Sequence, residues 1–281
     1  MCNFKSGIIL KNRVVIAPKD NDSHNNLLEQ LNIEDTEVNA MTKFVRAELI
    51  PPNHEWWTDP DTWKFNVDQD ITPDWFNEDV GKYEDMFRSA VNKWCKVHVL
   101  VDQKIDELKD GYFMLKRCEV KRALNDVKMM LDNSRVNEMC DNSTVKIMYD
   151  NSIVKEMYDN STVNKMYSES TVNKMFDNST VNEMYNNSTV NEMYNNSTVN
   201  EMYNNSTVNK MYDNSTVNVM LGNSTVNAML GNSTVNKMLG NSTAKEMYDN
   251  STVKEMWDNS IARCNYKKQI MIAGNYEVIH K

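Results

Sequence analysis

The chain has 281 residues, 40% of them hydrophobic and 25% charged, with a formal net charge of −9. Both halves are mildly acidic, which excludes the basic stripe that nucleic-acid phosphates require, and no run approaches the roughly 18 apolar residues of a membrane span. Only 7 Gly and 5 Pro are present, too few for a flexible linker or a disordered tail.

In chain order, residues 4–12 (FKSGIILKN) and 13–18 (RVVIAP) read as the two strands of a hairpin. Ser23 caps a helix through HNNLLEQL, and KFVRAELI (43–50) and WKFNVDQD (63–70) are further strands. Thr72-Pro73 opens a long helix, because Phe76, Val80, Tyr83, Phe87, Val91 and Trp94 step by three or four along one face. Residues 98–106 (HVLVDQKID) and 112–120 (YFMLKRCEV) then lead into a repeat. These elements predict a compact α+β domain over residues 1–122, a small mixed sheet backed by two helices and able to plug the open end of the repeat region. The Trp-rich segment HEWWTDPDTW (54–63) either lines a pocket or covers the sheet.

The chemistry available in this domain is narrow. Loss of Met1 would expose Cys2, whose own α-amino group can act as base in an amino-terminal-nucleophile hydrolase, with His24 the nearest assistant. Asn3 departs from the glycine that glutamine amidotransferases carry there, and the bland alternative is a small apolar residue starting a strand. His54 and His98 lack metal-ligand spacing, and the five cysteines (Cys2, Cys95, Cys118, Cys140, Cys264) form no CxxC pair. Free thiols, no metal and no cofactor are expected. The opening residues lack the apolar core of a signal peptide, which points to a cytoplasm. The Met-Cys-x-Phe-x-Ser start and the Ser23-His24 pair resemble those of uncharacterised amino-terminal domains in bacterial and bacteriophage proteins, over about the first 120 residues. The resemblance implies a prokaryotic or phage setting, hence a host cytoplasm, and brings no activity with it.

From Val127 to Val253 a valine recurs every nine residues, with Ala244 and Ala262 on the same ruler. A methionine follows three residues later from Met130 to Met256, and the unit reads D-N-S-T-V-N-E-M-Y. Such a fixed period marks a repeat architecture. Nine residues at about 100° each amount to two and a half turns of helix and would place successive valines on opposite faces. A continuous strand fails as well, since an odd period flips the alternation at every copy. The unit must hold a short strand and a polar corner, with Ser, Val and Met inward and Thr and Asn outward. One copy cannot offset its own ordering entropy, so copies must stack. An all-β parallel β-solenoid over 123–265 is predicted, with two copies, about 18 residues, per coil, closed by a carboxy-terminal β-hairpin cap over 266–281 about a Gly274-Asn275 turn. Eight coils would make a rod on the order of 40 Å.

The unit resembles other β-solenoid families, with corners similar to those of pentapeptide-repeat proteins. It shares its period with calcium-binding nonapeptide rolls but lacks their Gly-Gly-x-Gly-x-Asp ligands, so no calcium is expected. The aromatic column, from Tyr149 to Trp257, reads as a structural stack. Between 217 and 240 the unit drifts: Val219 and Ala228 replace a charged residue, Leu221, Leu230 and Leu239 replace tyrosine, and Gly222, Gly231 and Gly240 replace Asp. Drift among tandem copies accounts for this, or else Val219, Leu221, Ala228, Leu230 and Leu239 form an apolar patch for a partner or for self-association.

The leading functional expectation is a non-enzymatic scaffold or recognition protein with a protein partner, binding neither nucleic acid nor membrane. Against it stand the Cys2 amidohydrolase and an acidic DNA mimic. Alternation of Glu156, Glu183 and Glu192 with Lys165, Lys174 and Lys210 in one position counts against mimicry, and the want of an export signal against ice binding by the threonine columns.

Overall fold

The computed structural model describes residues 4–18, 22–109, 111–264 and the backbone strands at 270–273 and 277–280. It divides into two compact units between Leu100 and Val101.

The first unit opens with the expected hairpin, β1 (Lys5–Leu10) and β2 (Arg13–Ile16), followed by α1 (His24–Gln30), α2 (Glu37–Thr42), β3 (Phe44–Ile50), β4 (Lys64–Val67), α3 (Asp74–Asn77) and α4 (Val80–His98). Ser23 caps α1 by accepting the Asn26 N–H, and Asp79 caps α4 through Lys82. The sheet runs β2-β1-β3-β4, and its pairs β1–β2, β1–β3 and β3–β4 are all antiparallel. The expected mixed sheet is thus corrected: each strand returns through a hairpin or a helix that reverses it. Alternation along β1 splits the core in two. Ile8 packs with Ala17, Leu27, Leu28 and Phe44 on the α1 side. Gly7, on the other side, lies under Phe87 of α4, where a Cβ would come within 2.8 Å of the ring and 2.6 Å of the Val15 carbonyl. Trp56 and Trp63 are buried edge to face at 5.5 Å, so the Trp-rich segment seals this core.

The second unit is a parallel β-solenoid of two sheets with 11 strands each. Each nonapeptide contributes one five-residue strand, Thr to Met, and consecutive copies alternate between sheets, so that Val163 pairs with Val181 and Val172 with Val190. The coil is thus two copies. Pairing skips the Asn of each strand: Val163 faces Val181 and Lys165 faces Glu183, but Asn164 has no Cα partner. The chain bends there, which is how Val and Met, three residues apart, both turn inward. Val190 and Met193 are wholly buried, and Ser188 with them. Most of these serine hydroxyls find no partner, while Ser134 and Ser251 donate to the carbonyl three residues back at 2.6 Å.

The corner is a tight turn closed by the Ser N–H on the Tyr carbonyl, as from Ser188 to Tyr185 at 3.2 Å. Its first central residue has positive φ: Asp159 at 56°, Asn195 at 55°, Gly222 at 64° and Gly231 at 65°. Asp, Asn and Gly tolerate that region best. The glycines between 222 and 240 are therefore alternative answers to one backbone demand.

Both ends of the repeat extend further than its spelling. Strands Lys104–Leu108, Tyr112–Lys116 and Glu119–Ala123 already pair in parallel with the solenoid, Ile105 with Val120 and Val120 with Val136. The boundary expected at residue 122 thus moves to 100/101, because Ile105 and Val120 supply the inward apolar residue at slipped spacing. At the other end Ile270–Ala273 and Glu277–His280 join different sheets, each in parallel. They form a further coil and no hairpin. The Gly274-Asn275 turn lies outside the described residues.

Candidate functional site

The outward face of the solenoid is a lattice of columns, and most columns satisfy themselves. Asn side chains in the bend stack along each sheet, each amide donating to the one a coil earlier: Asn182 to Asn164 at 2.9 Å, Asn200 to Asn182 at 2.7 Å, Asn227 to Asn209 at 2.7 Å. Half-buried and mutually bonded, they are not the solvent-facing column that simple alternation predicts, and this is corrected by the bend. The next position sets opposite charges on adjacent rungs at some places, Lys165 on Glu183 at 2.9 Å and Lys174 on Glu156 at 3.6 Å, and like charges at others, as Glu201 follows Glu183 and Glu156 follows Glu138.

Tyrosine hydroxyls donate to the glutamate two residues back, Tyr194 to Glu192 at 2.8 Å and Tyr248 to Glu246 at 2.7 Å. Losing that proton would set phenolate against carboxylate, so Tyr158 and Tyr203 are pushed up to about 12 by these bonds, and Tyr194 likewise by burial and then its bond. The rings stack in two columns, Tyr149-Tyr167-Tyr185-Tyr203 and Tyr158-Phe176-Tyr194-Tyr212, with centroids 4.7 to 5.2 Å apart.

The sequence-predicted apolar patch does not form as one surface. Val219 lies between Glu201 and Lys237 in one sheet, whereas Ala228 lies between Lys210 and Glu246 in the other. Leu221 and Leu239 follow the first sheet and Leu230 the second, all half-buried where the tyrosine stacks end. Residues nine apart always face opposite ways in a coil of two copies.

What the drift does produce is a groove. Where Ala228 replaces the charged side chain, a cavity of about 640 Å³ opens, lined by Asn191, Asn209 and Asn227 and by Glu192, Lys210, Lys245, Glu246 and Arg263. The last acceptor of that amide column, Asn227 Oδ1, is buried and unpaired beside it.

The first unit holds a second polar cluster that no sequence spacing announces. Lys5, fully buried, pairs with Asp22 at 3.2 Å and lies 4.3 Å over the Trp94 ring. The Ser6 hydroxyl donates to the Asp22 carbonyl at 2.8 Å. His24, 8% exposed, sets Nδ1 3.1 Å from Asp68 and Nε2 3.3 Å from the Ala47 carbonyl. Glu48 accepts from Asn66 at 3.1 Å. Burial pushes its carboxyl up, the Asn66 bond pulls it back, and the Asp68 charge pushes it up again. Cys2 lies outside the described residues. Both ring nitrogens of His24 are engaged, and the Cys95 thiol is pushed up to about 12 by burial. Cys118, Cys140 and Cys264 are raised for the same reason. His24 is the one member of this cluster that the sequence singles out, as an assistant to Cys2.

Among the described residues no helix is long and apolar enough to cross a membrane. Comparison with family models, with curated proteins and with solved structures finds no match to this chain.

Proposed function

We propose that the protein is a non-enzymatic recognition scaffold, in which the solenoid presents one partner-binding groove on an otherwise self-satisfied surface. The observation that carries this reading is the interruption at Ala228. Elsewhere the outward columns spend many of their donors and acceptors within the solenoid itself, through amide stacks and ion pairs between coils and Tyr–Glu bonds within a coil. A surface already paired with itself offers a ligand little. At the groove, cationic Lys210, Lys245 and Arg263 stand among amides with Glu192 and Glu246 at hand, a mixture suited to a polar segment of another protein and poor for a polyanion. The resemblance of the first residues to bacterial and phage domains supports a prokaryotic or phage setting and a host cytoplasm for the encounter.

The test is a quantitative pull-down from the native host with the wild type, Ala228→Trp and Lys245→Glu. Thermal melts should confirm that the fold survives both substitutions. A partner retained by the wild type and lost by both variants supports the groove. No retained partner, or equal retention by all three chains, contradicts it.

A further inference from the structure

His24, Glu48 and Asp68 come from three separate elements: the first residue of α1, the middle of β3 and the segment just after β4. Each offers one ligand atom, and these atoms all lie within 4.8 Å of one another. The His24 ring defines what can sit between them. A carbonyl oxygen only accepts, so the contact to Ala47 requires a proton on Nε2. Nδ1 is then the ring nitrogen turned toward the carboxylates, 3.1 Å from Asp68. A histidine nitrogen and two carboxylate groups gathered this closely make a donor set for a metal ion.

The charge balance points the same way. The Asp68 and Asp22 charges both push the Glu48 carboxyl up while His24 pulls it down, and Lys5, the lysine that reaches in, is already paired with Asp22. The supports are those that orient metal ligands elsewhere: the far nitrogen of the histidine is fixed by a backbone carbonyl and Glu48 is held by the Asn66 amide. With bonds of about 2.1 Å, donors 3.1 Å apart subtend roughly 95° at a metal. Asp68, 55% exposed, leaves a path to solvent.

We propose that His24 Nδ1, Glu48 and Asp68 form a binding site for a divalent transition-metal ion. One nitrogen and two carboxylate oxygens suit zinc or manganese and disfavour calcium, which takes oxygen alone. No metal signature is visible in the sequence because the three ligands follow no helical or hairpin spacing.

The experiment is calorimetric titration of the full chain, stripped with chelator, using Zn²⁺, Mn²⁺ and Ca²⁺ as separate probes. One equivalent of Zn²⁺ is expected to bind, with affinity falling tenfold or more in both Glu48→Gln and Asp68→Asn and no saturable Ca²⁺ binding. Asp68→Asn changes an exposed side chain, so it remains informative if His24→Ala does not fold. The site is overturned if Zn²⁺ fails to saturate, if both variants bind as the wild type does, or if Ca²⁺ binds as tightly as Zn²⁺. The last two results would mark thiol or general acidic-surface binding, and the first would mean that the three side chains hold no metal.

Discussion

In the first unit each buried polar group has a partner of its own, as Lys5 has Asp22 and Glu48 has Asn66, drawn from distant parts of the chain. In the solenoid Val181, Val190 and Val199 occupy environments that are near copies of one another, each between the valines of the coils before and after it. One region is specified by singular contacts, the other by a single local solution used many times. A substitution in the first should act as a special case; a substitution in the second should act the same way at any interior rung.

The largest effect is expected where that shared solution is violated. Val190→Asp places a charge in a wholly buried column and should cost several kcal/mol, while Thr189→Asp on the outward face should stay within about 0.5 kcal/mol. The same pair at Val208 and Thr207 should repeat the result in thermal melts. Unequal penalties at the two rungs would break the equivalence.

In the first unit, Asp22→Asn removes the charge partner of the fully buried Lys5 and should cost about 3 to 5 kcal/mol. The expected signature is one transition moving down while the solenoid transition stays in place, read by tryptophan fluorescence against far-ultraviolet dichroism. Five of the six tryptophans lie in the first unit. A joint shift of both transitions would mean that the two units do not unfold separately.

Smaller effects probe the corner. Ser168 sits at φ 56° where other copies use Asp, Asn or Gly, and Ser168→Gly should stabilise by roughly 0.5 kcal/mol. Gly231→Ala should destabilise by about 1 kcal/mol or more, because its Cβ would stand 2.9 Å from the Asp213 nitrogen at φ +65°. Opposite signs sharpen the view that one backbone conformation governs every corner, and like signs would refute it.

The alkaline limit is subtler still. Tyr158, Tyr194 and Tyr203 are raised to about 12, so the folded state keeps protons that the unfolded chain has lost. Their contribution is full below pH ~10 and is lost as pH rises through about 12. Ultraviolet titration should show tyrosines ionising late in the wild type, with Glu192→Gln and Glu201→Gln bringing Tyr194 and Tyr203 back toward the ordinary range.

The period of the repeat, the inward Val, Met and Ser and the size of the coil were legible because each is a local regularity copied many times. Three features were not. The bend at Asn defeats simple alternation and hid the amide stacks. The first and last coils are spelled in other residues, Ile105 and Val120 at one end and Ile270 and Val278 at the other, with shortened spacing that masks the ladder. The cluster of Lys5, Asp22, His24, Glu48 and Asp68 is assembled by the tertiary fold and leaves no spacing to read. The groove could have been foreseen only by assigning Val219 and Ala228 to opposite sheets, a consequence of the two-copy coil.

That coil is tested most directly by a distance. Thr162 and Thr252 lie in the same outward column, joined rung by rung through Thr180, Thr198, Thr216 and Thr234. Spin labels at Thr162→Cys and Thr252→Cys, in a chain whose Cys2 and Cys140 are serine, should give a backbone separation of about 24 Å, since five rungs of roughly 4.8 Å intervene. A coil of one nonapeptide would double the rungs between them, and a separation of about 48 Å would contradict the account.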